Sequence, residues 1–186
     1  DMMRQQVRPE TRIGTWIIAG GTASNVIPEF GELEVTVRHT ERDYLNGLSE
    51  QIKKIFEGAA LCTGTTVDVE FYGNPYDDMN QNHRGTLLIE DVMTDMGIDF
   101  KPGPADIGGS SDIGNVSYQC AAFHPKLRLA GPDKVCHAKE FADAMLEPTI
   151  EPTIVDGANI IGRTLLRLVE NPAVLEEIVT EFNSTK

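Results

Sequence analysis

Two polar side chains with complementary chemistry, an amide and a guanidinium, lie in one short stretch of the sequence. Asn25 lies in a glycine-rich connection, and Arg38 ends the alternating run Glu32–Arg38. A planar guanidinium can bind a carboxylate through two parallel hydrogen bonds, and an amide can bond a nearby carbonyl. Asn25 and Arg38 are therefore candidates for binding a small molecule that has a free carboxylate.

Both residues also have an ordinary structural explanation. Asn is common in turns, and Arg is common on the solvated face of a strand. Asn25 would then be a turn residue and Arg38 a solvated strand end. The spacing of the two residues alone does not decide between binding and structure.

A second candidate site is a loop of glycine and hydroxyl residues, Gly108–Asn115. Small residues let the backbone approach a ligand closely, and successive N–H groups can bind anions. Gly109, Ser110 and Asp112 lie in this loop. The phosphate-loop pattern GxxxxGK[ST] is absent, and glycine-serine loops are also common as plain connectors.

His137, in a loop before a predicted helix, is a candidate metal ligand. Imidazole nitrogen binds zinc well, but a zinc site needs three or four ligands. The chain contains neither His-x-x-x-His nor His-x-Asp, and the adjacent Cys136 is unsuited to the same ion. We interpret His83 as a surface residue and His124 as a packed or hydrogen-bonded one.

The composition excludes some classes of partner. The 186 residues include 29 acidic and 16 basic ones, for a formal net charge of −13. Such a surface repels phosphate backbones and anionic lipids, so we expect neither nucleic-acid nor membrane partners. No apolar run approaches the ~20 residues that span a bilayer. Three cysteines without framework spacing favour a reducing compartment, so we expect a cytoplasmic protein.

Local patterns predict the elements of the first part of the chain. Strict alternation in Glu32–Arg38 predicts a strand with one buried face, and Arg12–Ala19 predicts its partner. A helix follows, with Thr40 as its predicted N-cap and Gly64 as its end. Renewed alternation predicts a third strand at residues 65–72.

The order strand, strand, helix, strand corresponds to the last three-quarters of a ferredoxin-like β-α-β-β-α-β layer. Its first strand would lie upstream of Asp1, so we expect the chain to be a piece of a longer polypeptide. The turn-rich stretch Gly73–Asp78 predicts a hinge. We therefore divide the chain into residues 1–74 and 75–186.

The second part is predicted to be mostly helical, with one short strand at residues 120–123. A helix is predicted at residues 80–97, followed later by two long helices. The last of these begins at Pro172 with Asn171 as its N-cap. The predicted buried stripes of the three helices are Leu87, Leu88, Val92 and Met96; Ile150, Ile154, Ala158, Ile161, Leu165 and Leu168; and Val174, Leu175, Ile178, Val179 and Phe182.

Two of these stretches resemble a known family. Residues 20–38, GGTASNVIPEFGELEVTVR, resemble the lid-domain segment of the zinc-dependent aminoacylase and carboxypeptidase family of amidohydrolases. The stretch GGSSDIGNVS, followed by His124-Pro125 and a His before a helix, resembles the family's closing segment. The similarity is greatest to the p-aminobenzoyl-glutamate hydrolase and aminoacylase-like dipeptidase branch.

The resemblance implies a fold and a set of roles. Residues 1–74 would form a ferredoxin-like lid and dimerisation layer without its first strand, an α+β unit. Residues 75–186 would form the C-terminal part of an α/β metallopeptidase catalytic domain. Asn25 and Arg38 would contact the substrate, Gly109 and Ser110 would lie beside it, and His137 would be a terminal ligand of one of two zinc ions.

The resemblance also implies a function. The chain would be part of a metal-dependent amidohydrolase that cleaves the amide bond of an N-acyl amino acid or dipeptide with a free carboxylate. The family's His-x-Asp motif, bridging Asp and general-base Glu are not in this sequence, so we expect the chain to be inactive alone. The partners implied are that small molecule and a second copy bound through the lid. The alternative is a non-catalytic dimerisation or binding module derived from the same family.

Overall fold

The chain forms two compact units. The computed structural model describes residues 2–103, 109–129 and 136–185. The units are Asp1–Asp78 and Met79–Lys186, whereas the sequence predicts a boundary after residue 74. The assignment of the two segments to a lid and a catalytic domain stays a prediction.

The first unit contains a two-stranded antiparallel sheet and one long helix. A 3-10 turn at Met2–Gln5 precedes strands β1 (Arg12–Ala19) and β2 (Glu32–Arg38), and helix α1 (Arg42–Thr63) follows. The strands pair from Arg12 opposite Arg38 to Ile17 opposite Leu33 without a register shift. A bulge follows Ile17 and leads to Ala19 opposite Glu32.

This register sorts the side chains of the sheet onto two faces. Residues directly opposite each other point to the same side, and successive residues alternate. One face is apolar, and three of its members are half-buried: Ile13, Val35 and Val37. The other face, here called the polar face, consists of Arg12, Gly14, Trp16, Glu34, Thr36 and Arg38.

Polar and aromatic contacts fix the start of α1 close to the end of β2. The His39 Nδ1 accepts the Glu41 N–H at 2.9 Å, and the His39 and Tyr44 rings lie 4.3 Å apart. The Arg8 guanidinium lies 4.3 Å above the Tyr44 ring and forms an ion pair with Glu41 at 2.6 Å. These contacts hold the segment that follows Arg38.

The predicted N-cap of α1 is wrong, whereas its predicted C-terminal end is right. The N-cap is Glu41, not Thr40, and it makes no side-chain capping bond. Instead the Asp78 carboxylate accepts the Arg42 N–H at 3.2 Å, so a residue distant in sequence takes over the capping function. Gly64 ends the helix with φ of 68°, a conformation that glycine adopts at little cost.

The predicted strand at residues 65–72 is not formed. The structure leaves this segment without strand pairing, and Val67 and Phe71 are exposed. A strand needs a partner for its backbone hydrogen bonds, and alternation in the sequence does not provide one. The mixed helix and antiparallel sheet agree with the predicted α+β class, while the ferredoxin-like arrangement stays a prediction.

The second unit is built from helices. They are α2 (His83–Asp95), α3 (Ile113–Ser117), α4 (Lys139–Ala144), α5 (Glu151–Glu170) and α6 (Pro172–Ser184), with a 3-10 turn at Pro148–Ile150. The strand predicted at residues 120–123 is absent: the segment is irregular, although Ala122 is buried. Among the helices of the described residues, none is long and apolar enough to cross a bilayer.

The N-terminus of α2 is tied to α6 by buried and charged groups. Asn82 is only 3% exposed. Its Oδ1 accepts the Gly85 N–H at 2.9 Å, and its Nδ2 donates to the Ile178 carbonyl at 2.9 Å. The two Glu181 carboxylate oxygens accept the N–H groups of residues 83 and 84. One amide and one carboxylate thus satisfy three N–H groups at this helix end, which otherwise lack partners.

The apolar core of this unit lies between α2 and α5. It contains Ile89, Val92 and Met93 of α2 and Ile160 of α5, and Val92 is fully buried. Partly buried side chains pack around this cluster: Met96, Ile98, Phe100, Phe123 and Leu127. The predicted stripe on α2 is confirmed at Leu88 and Val92.

The predicted buried stripe on α5 is wrong over most of its length. Ile150 is buried, but Ile154, Ile161 and Leu165 are each about 60% exposed. The face that packs inward is the one bearing Ile160 and Thr164. The helix has apolar residues on two sides, and periodicity alone does not show which side the tertiary contacts cover. On α6, Ile178 and Phe182 are buried as predicted, whereas Leu175 is 44% and Val179 45% exposed.

A substitution at Gly85 tests the packing of α2 against Phe123. A Cβ added there would lie 1.9 Å from a ring carbon of Phe123, so we expect Gly85→Ala to lower the free energy of unfolding by about 1–3 kcal/mol through overpacking. The matched control is Gly162→Ala on α5, where an added Cβ meets nothing within 4 Å. That variant should stabilise the protein by about 0.5–1 kcal/mol. Urea unfolding of both variants measures the difference, and equal effects would contradict the packing.

Candidate substrate-binding site

Arg38 presents an available guanidinium on the polar face. It is the last residue of β2 and is exposed. Within the described residues, no hydrogen bond or salt bridge to its side chain is found. The register places it directly opposite Arg12. Arg38 can therefore bind an anion without breaking an existing interaction.

The Arg12 side chain is held in place by backbone carbonyls of residues that precede it. Its Nη1 donates to the carbonyls of Pro9 at 2.8 Å and Thr11 at 2.9 Å. Both acceptors lie just before β1, so they fix the guanidinium next to the start of the strand. Arg12 is not among the candidates predicted from the sequence. The signal that could have found it is the paired register of two strands that both place an Arg at the same end.

Asn25 is exposed in the connection between the strands. That connection begins after Ala19 and ends at Glu32, whereas Arg38 lies at the opposite end of β2. A strand of this length spans about 20 Å. The sheet therefore does not bring Asn25 and Arg38 together by itself. Their joint role in one site stays a prediction.

Tyr72 and Glu34 interact at the polar face. The Tyr72 hydroxyl donates a hydrogen bond to the Glu34 carboxylate, which raises the pKa of Tyr72 above its ordinary value of 10.0. Desolvation and the negative charge of Glu34 act in the same direction. Glu34 is half-buried, and its carboxylate lies close enough to the exposed Tyr72 hydroxyl to raise the pKa of that hydroxyl.

The glycine-serine loop is anchored by the short helix that follows it. Gly109 and Ser110 are exposed, while Gly108 lies outside the described residues. Ser117, at the end of α3, is fully buried. Its Oγ accepts the Asn80 N–H at 2.8 Å and donates to the Gly114 carbonyl at 2.5 Å. The loop thus ends on a fixed helix and leaves its first described residues open to a ligand.

His137 has an unusual backbone conformation. Its φ is 70°, and among the described residues it is the one non-glycine residue with a positive φ. This region is uncommon for side chains other than Asn, Asp and His, and it recurs at functional sites. His137 is exposed in the turn before α4. The ring is therefore accessible, which a ligand role requires.

The described donor set does not by itself fit a metal ion. In the described parts of the chain, no group of three or more His, Cys, Asp or Glu residues is close enough to hold one. His137 and the adjacent Cys136 are exposed, and His83 and His124 are exposed at other positions. A metal centre that includes His137 would need further donors.

Comparison with known proteins identifies relatives of this chain. No family model matches the chain. The Xaa-Arg dipeptidase of Mus musculus is 29% identical over 184 residues, which cover 97% of this chain and 42% of that protein. The human Xaa-Arg dipeptidase is 27% identical over 187 residues with the same coverage. The chain is a homologue of these amidohydrolases and peptidases.

A second type of relative agrees with the resemblance seen in the sequence. A homologue of p-aminobenzoyl-glutamate hydrolase from Haemophilus influenzae is 29% identical over 82 residues, 44% of this chain and 19% of that protein. The present chain spans less than half the length of the curated relatives it matches. These relatives agree with the predicted resemblance to amidohydrolases and peptidases, while zinc dependence stays a prediction.

The Tyr72–Glu34 hydrogen bond predicts a pH effect. We expect Glu34→Gln to lower the pKa of Tyr72 towards 10.0, because the acceptor loses its charge. The raised pKa means that the hydrogen bond stabilises the fold below about pH 10 and is lost as the pH rises through the higher folded value. Tyrosinate absorbance, taken as the difference between the parent chain and Tyr72→Phe, isolates this residue. An unchanged Tyr72 titration in Glu34→Gln would contradict the contact.

Proposed function

We propose that this chain is part of a metal-dependent amidohydrolase that cleaves the amide bond of an N-acyl amino acid or dipeptide with a free carboxylate. The observation that carries the proposal is the similarity to Xaa-Arg dipeptidases over 97% of the chain. The exposed guanidinium of Arg38, which has no partner among the described residues, supports it, because a guanidinium can bind a free carboxylate through two parallel hydrogen bonds.

The roles follow from the chemistry of the accessible groups. Arg38 binds the substrate carboxylate through two hydrogen bonds. Asn25 bonds a carbonyl of the substrate, brought to it by the fold of the complete protein or by a second subunit. Gly109 and Ser110 lie beside the substrate, where the absence of a Cβ at Gly109 lets the backbone approach.

The metal centre is a proposal of its own. We propose His137 as one ligand of a zinc site whose other ligands lie outside the described residues. A zinc ion bound there would supply Lewis-acid polarisation of the scissile carbonyl. Because the described residues offer one donor at this position and the relatives are more than twice as long, we propose that the chain alone is inactive.

A chimera tests the activity and the role of Arg38. The matched part of the mouse Xaa-Arg dipeptidase is replaced by these 186 residues, and dipeptide hydrolysis is measured with and without a chelator. We expect chelator-sensitive turnover by the chimera and none by the isolated chain. In the chimera, Arg38→Ala should raise KM for free-carboxylate substrates about tenfold to a hundredfold, since a charged hydrogen-bonded contact is removed.

The controls separate carboxylate binding from general damage. Substrates with an amidated C-terminus should show little change in KM on Arg38→Ala. Arg163→Ala, an exposed Arg on α5, should leave both substrates unaffected. Equal increases in KM for the acid and the amide would contradict the carboxylate role, and an inactive, folded chimera would contradict the proposed function.

Exposed apolar side chains in the first unit favour a second candidate, a dimerisation module. Trp16 and Ile17 of β1 are about two-thirds exposed, and in the connection Ile27 is 94% and Phe30 66% exposed. Large exposed apolar patches mark interaction surfaces. We propose that two copies of the chain associate through this end of the sheet.

Light scattering tests the association. We expect the isolated chain to have the mass of a dimer and the double variant Ile27→Asp, Phe30→Asp the mass of a monomer, because two buried charges would oppose the contact. The control is Leu61→Asp, at an 84% exposed position on α1, which should remain dimeric. A monomeric parent chain at high concentration would overturn this second candidate.

A further inference from the structure

Helix α5 has apolar side chains on two sides. Ile160 points into the core of the second unit and is only 2% exposed. A second set of apolar side chains points away from that core, and each of its members is 51–77% exposed. This set, here called the outer face of α5, consists of Ile154, Val155, Ile161, Leu165, Leu166 and Val169. With 3.6 residues per turn, these positions cover about 140° of the helix circumference.

Charged residues are confined to the remaining narrow side of α5. Between residues 154 and 169 they are Asp156, Arg163 and Arg167, which helical periodicity places together on one strip. A surface helix typically has a single apolar stripe about 100° wide and a polar face opposite to it. The buried and the outer side of α5 together are about twice as wide. Such a distribution is typical of a helix inside a larger core.

The orientation of α5 within its unit is fixed, so the helix cannot turn its outer face inward. Arg167 forms an ion pair with Asp95 at the end of α2. The Thr164 hydroxyl, 9% exposed, donates to the Ile160 carbonyl at 2.7 Å and is thereby satisfied in its buried position. A rotation that buried the outer face would break the ion pair and expose Ile160. The outer face therefore needs a partner from elsewhere.

The outer face has the size and shape of a packing surface. It extends for about 22 Å along the helix. Six large side chains that are each more than half exposed form a patch on the order of the largest that monomeric proteins leave open, a few hundred Å². Ala158 and Gly162 lie in its middle, and a Cβ added at Gly162 meets nothing within 4 Å. These small residues leave room for side chains of a partner between the larger ones.

The known relatives indicate where such a partner comes from. The two Xaa-Arg dipeptidases match 97% of this chain and are more than twice as long, so the matched segment belongs there to a protein with a larger core. Packing between two single helices uses a narrow apolar seam. A broad face such as that of α5 fits a flat layer instead, and helices packed on a sheet form one of the common layer architectures.

We propose that the outer face of α5 docks onto an apolar sheet face in a part of a longer polypeptide that lies outside these 186 residues. In this arrangement α5 is a middle layer, with α2 packed on one side and the sheet on the other. The charged strip with Arg163 remains in water. The inference concerns assembly and does not rest on the proposed hydrolysis.

Thiol labelling measures whether the outer face is covered. The three exposed cysteines are replaced by serine, and Leu166→Cys on the outer face is compared with Arg163→Cys on the charged strip. In the isolated chain we expect both thiols to react with a bulky maleimide at similar rates. In the chimera with the mouse dipeptidase, the rate for Leu166→Cys should fall at least about a hundredfold, because reaction then requires local opening. The rate for Arg163→Cys should not change.

A charge on the outer face gives a second measurement. Leu165 is 58% exposed, so Leu165→Asp should leave the Tm of the isolated chain unchanged. The same substitution should lower the Tm of the chimera by several degrees, because the carboxylate would be buried without a partner. Light scattering of the isolated chain should give the same mass for Leu165→Asp as for the parent, because the proposed partner is not a second copy.

The outcomes decide between the possible partners. Fast labelling of Leu166→Cys in the folded chimera would overturn the inference, and so would a chimera that does not melt cooperatively, since the two parts must be complementary. A smaller mass of the isolated chain on Leu165→Asp would make a second copy the partner and would overturn it as well.

The labelling result is independent of catalysis. A chimera that protects Leu166→Cys but does not hydrolyse dipeptides would support the interface and reject the enzymatic role. An active chimera that leaves this thiol reactive would support the enzymatic role and reject the interface. The two proposals can therefore fail separately.

Discussion

The antiparallel register of β1 and β2 is the constraint on which the candidate site depends. Because Arg12 lies opposite Arg38, the alternation of both strands places two guanidiniums, a glycine, a tryptophan and a carboxylate on one face. A shift of one residue in either strand would turn its side chains to the other face. The hydrophobic pattern at residues 33, 35 and 37 opposes such a shift, since it would expose valines that are now half-buried. The packing of the sheet and the composition of the candidate site are thus specified by the same pairing.

In the second unit, hydrogen bonds of polar side chains fix the arrangement of the helices, as strand pairing fixes the sheet of the first unit. Asn82 bonds both its own helix end and the α6 carbonyl of Ile178, and Glu181 completes the N-terminus of α2 from α6. Removing one partner of the buried Asn82 contacts costs more than the contact contributes, because the other partner is left unpaired. These bonds join residues almost a hundred positions apart and fix the helix packing that carries the glycine-serine loop.

The elements were predicted correctly from the sequence where the signal was local. Alternation predicted β2, an apolar and aromatic run predicted β1, Gly64 predicted the end of α1, and Asn171-Pro172 predicted the start of α6. Prediction failed where strand pairing, helix capping or burial depends on residues distant in sequence. Residues 65–72 alternate but find no strand to pair with, Asp78 rather than Thr40 caps α1, and α5 buries Ile160 instead of Ile161. For the site, the sequence singled out Arg38, whereas Arg12 became visible only with the register.

The bulge after Ile17 has a consequence for how this protein can change over evolution. It lies between the six regularly paired positions and the connection that contains Asn25. A bulge accommodates an extra residue locally, so the hairpin connection can gain or lose residues without rotating Arg12 or Trp16 away from their face. Descendants of this chain are therefore free to diversify one end of the hairpin while keeping both guanidiniums of the other end on one face.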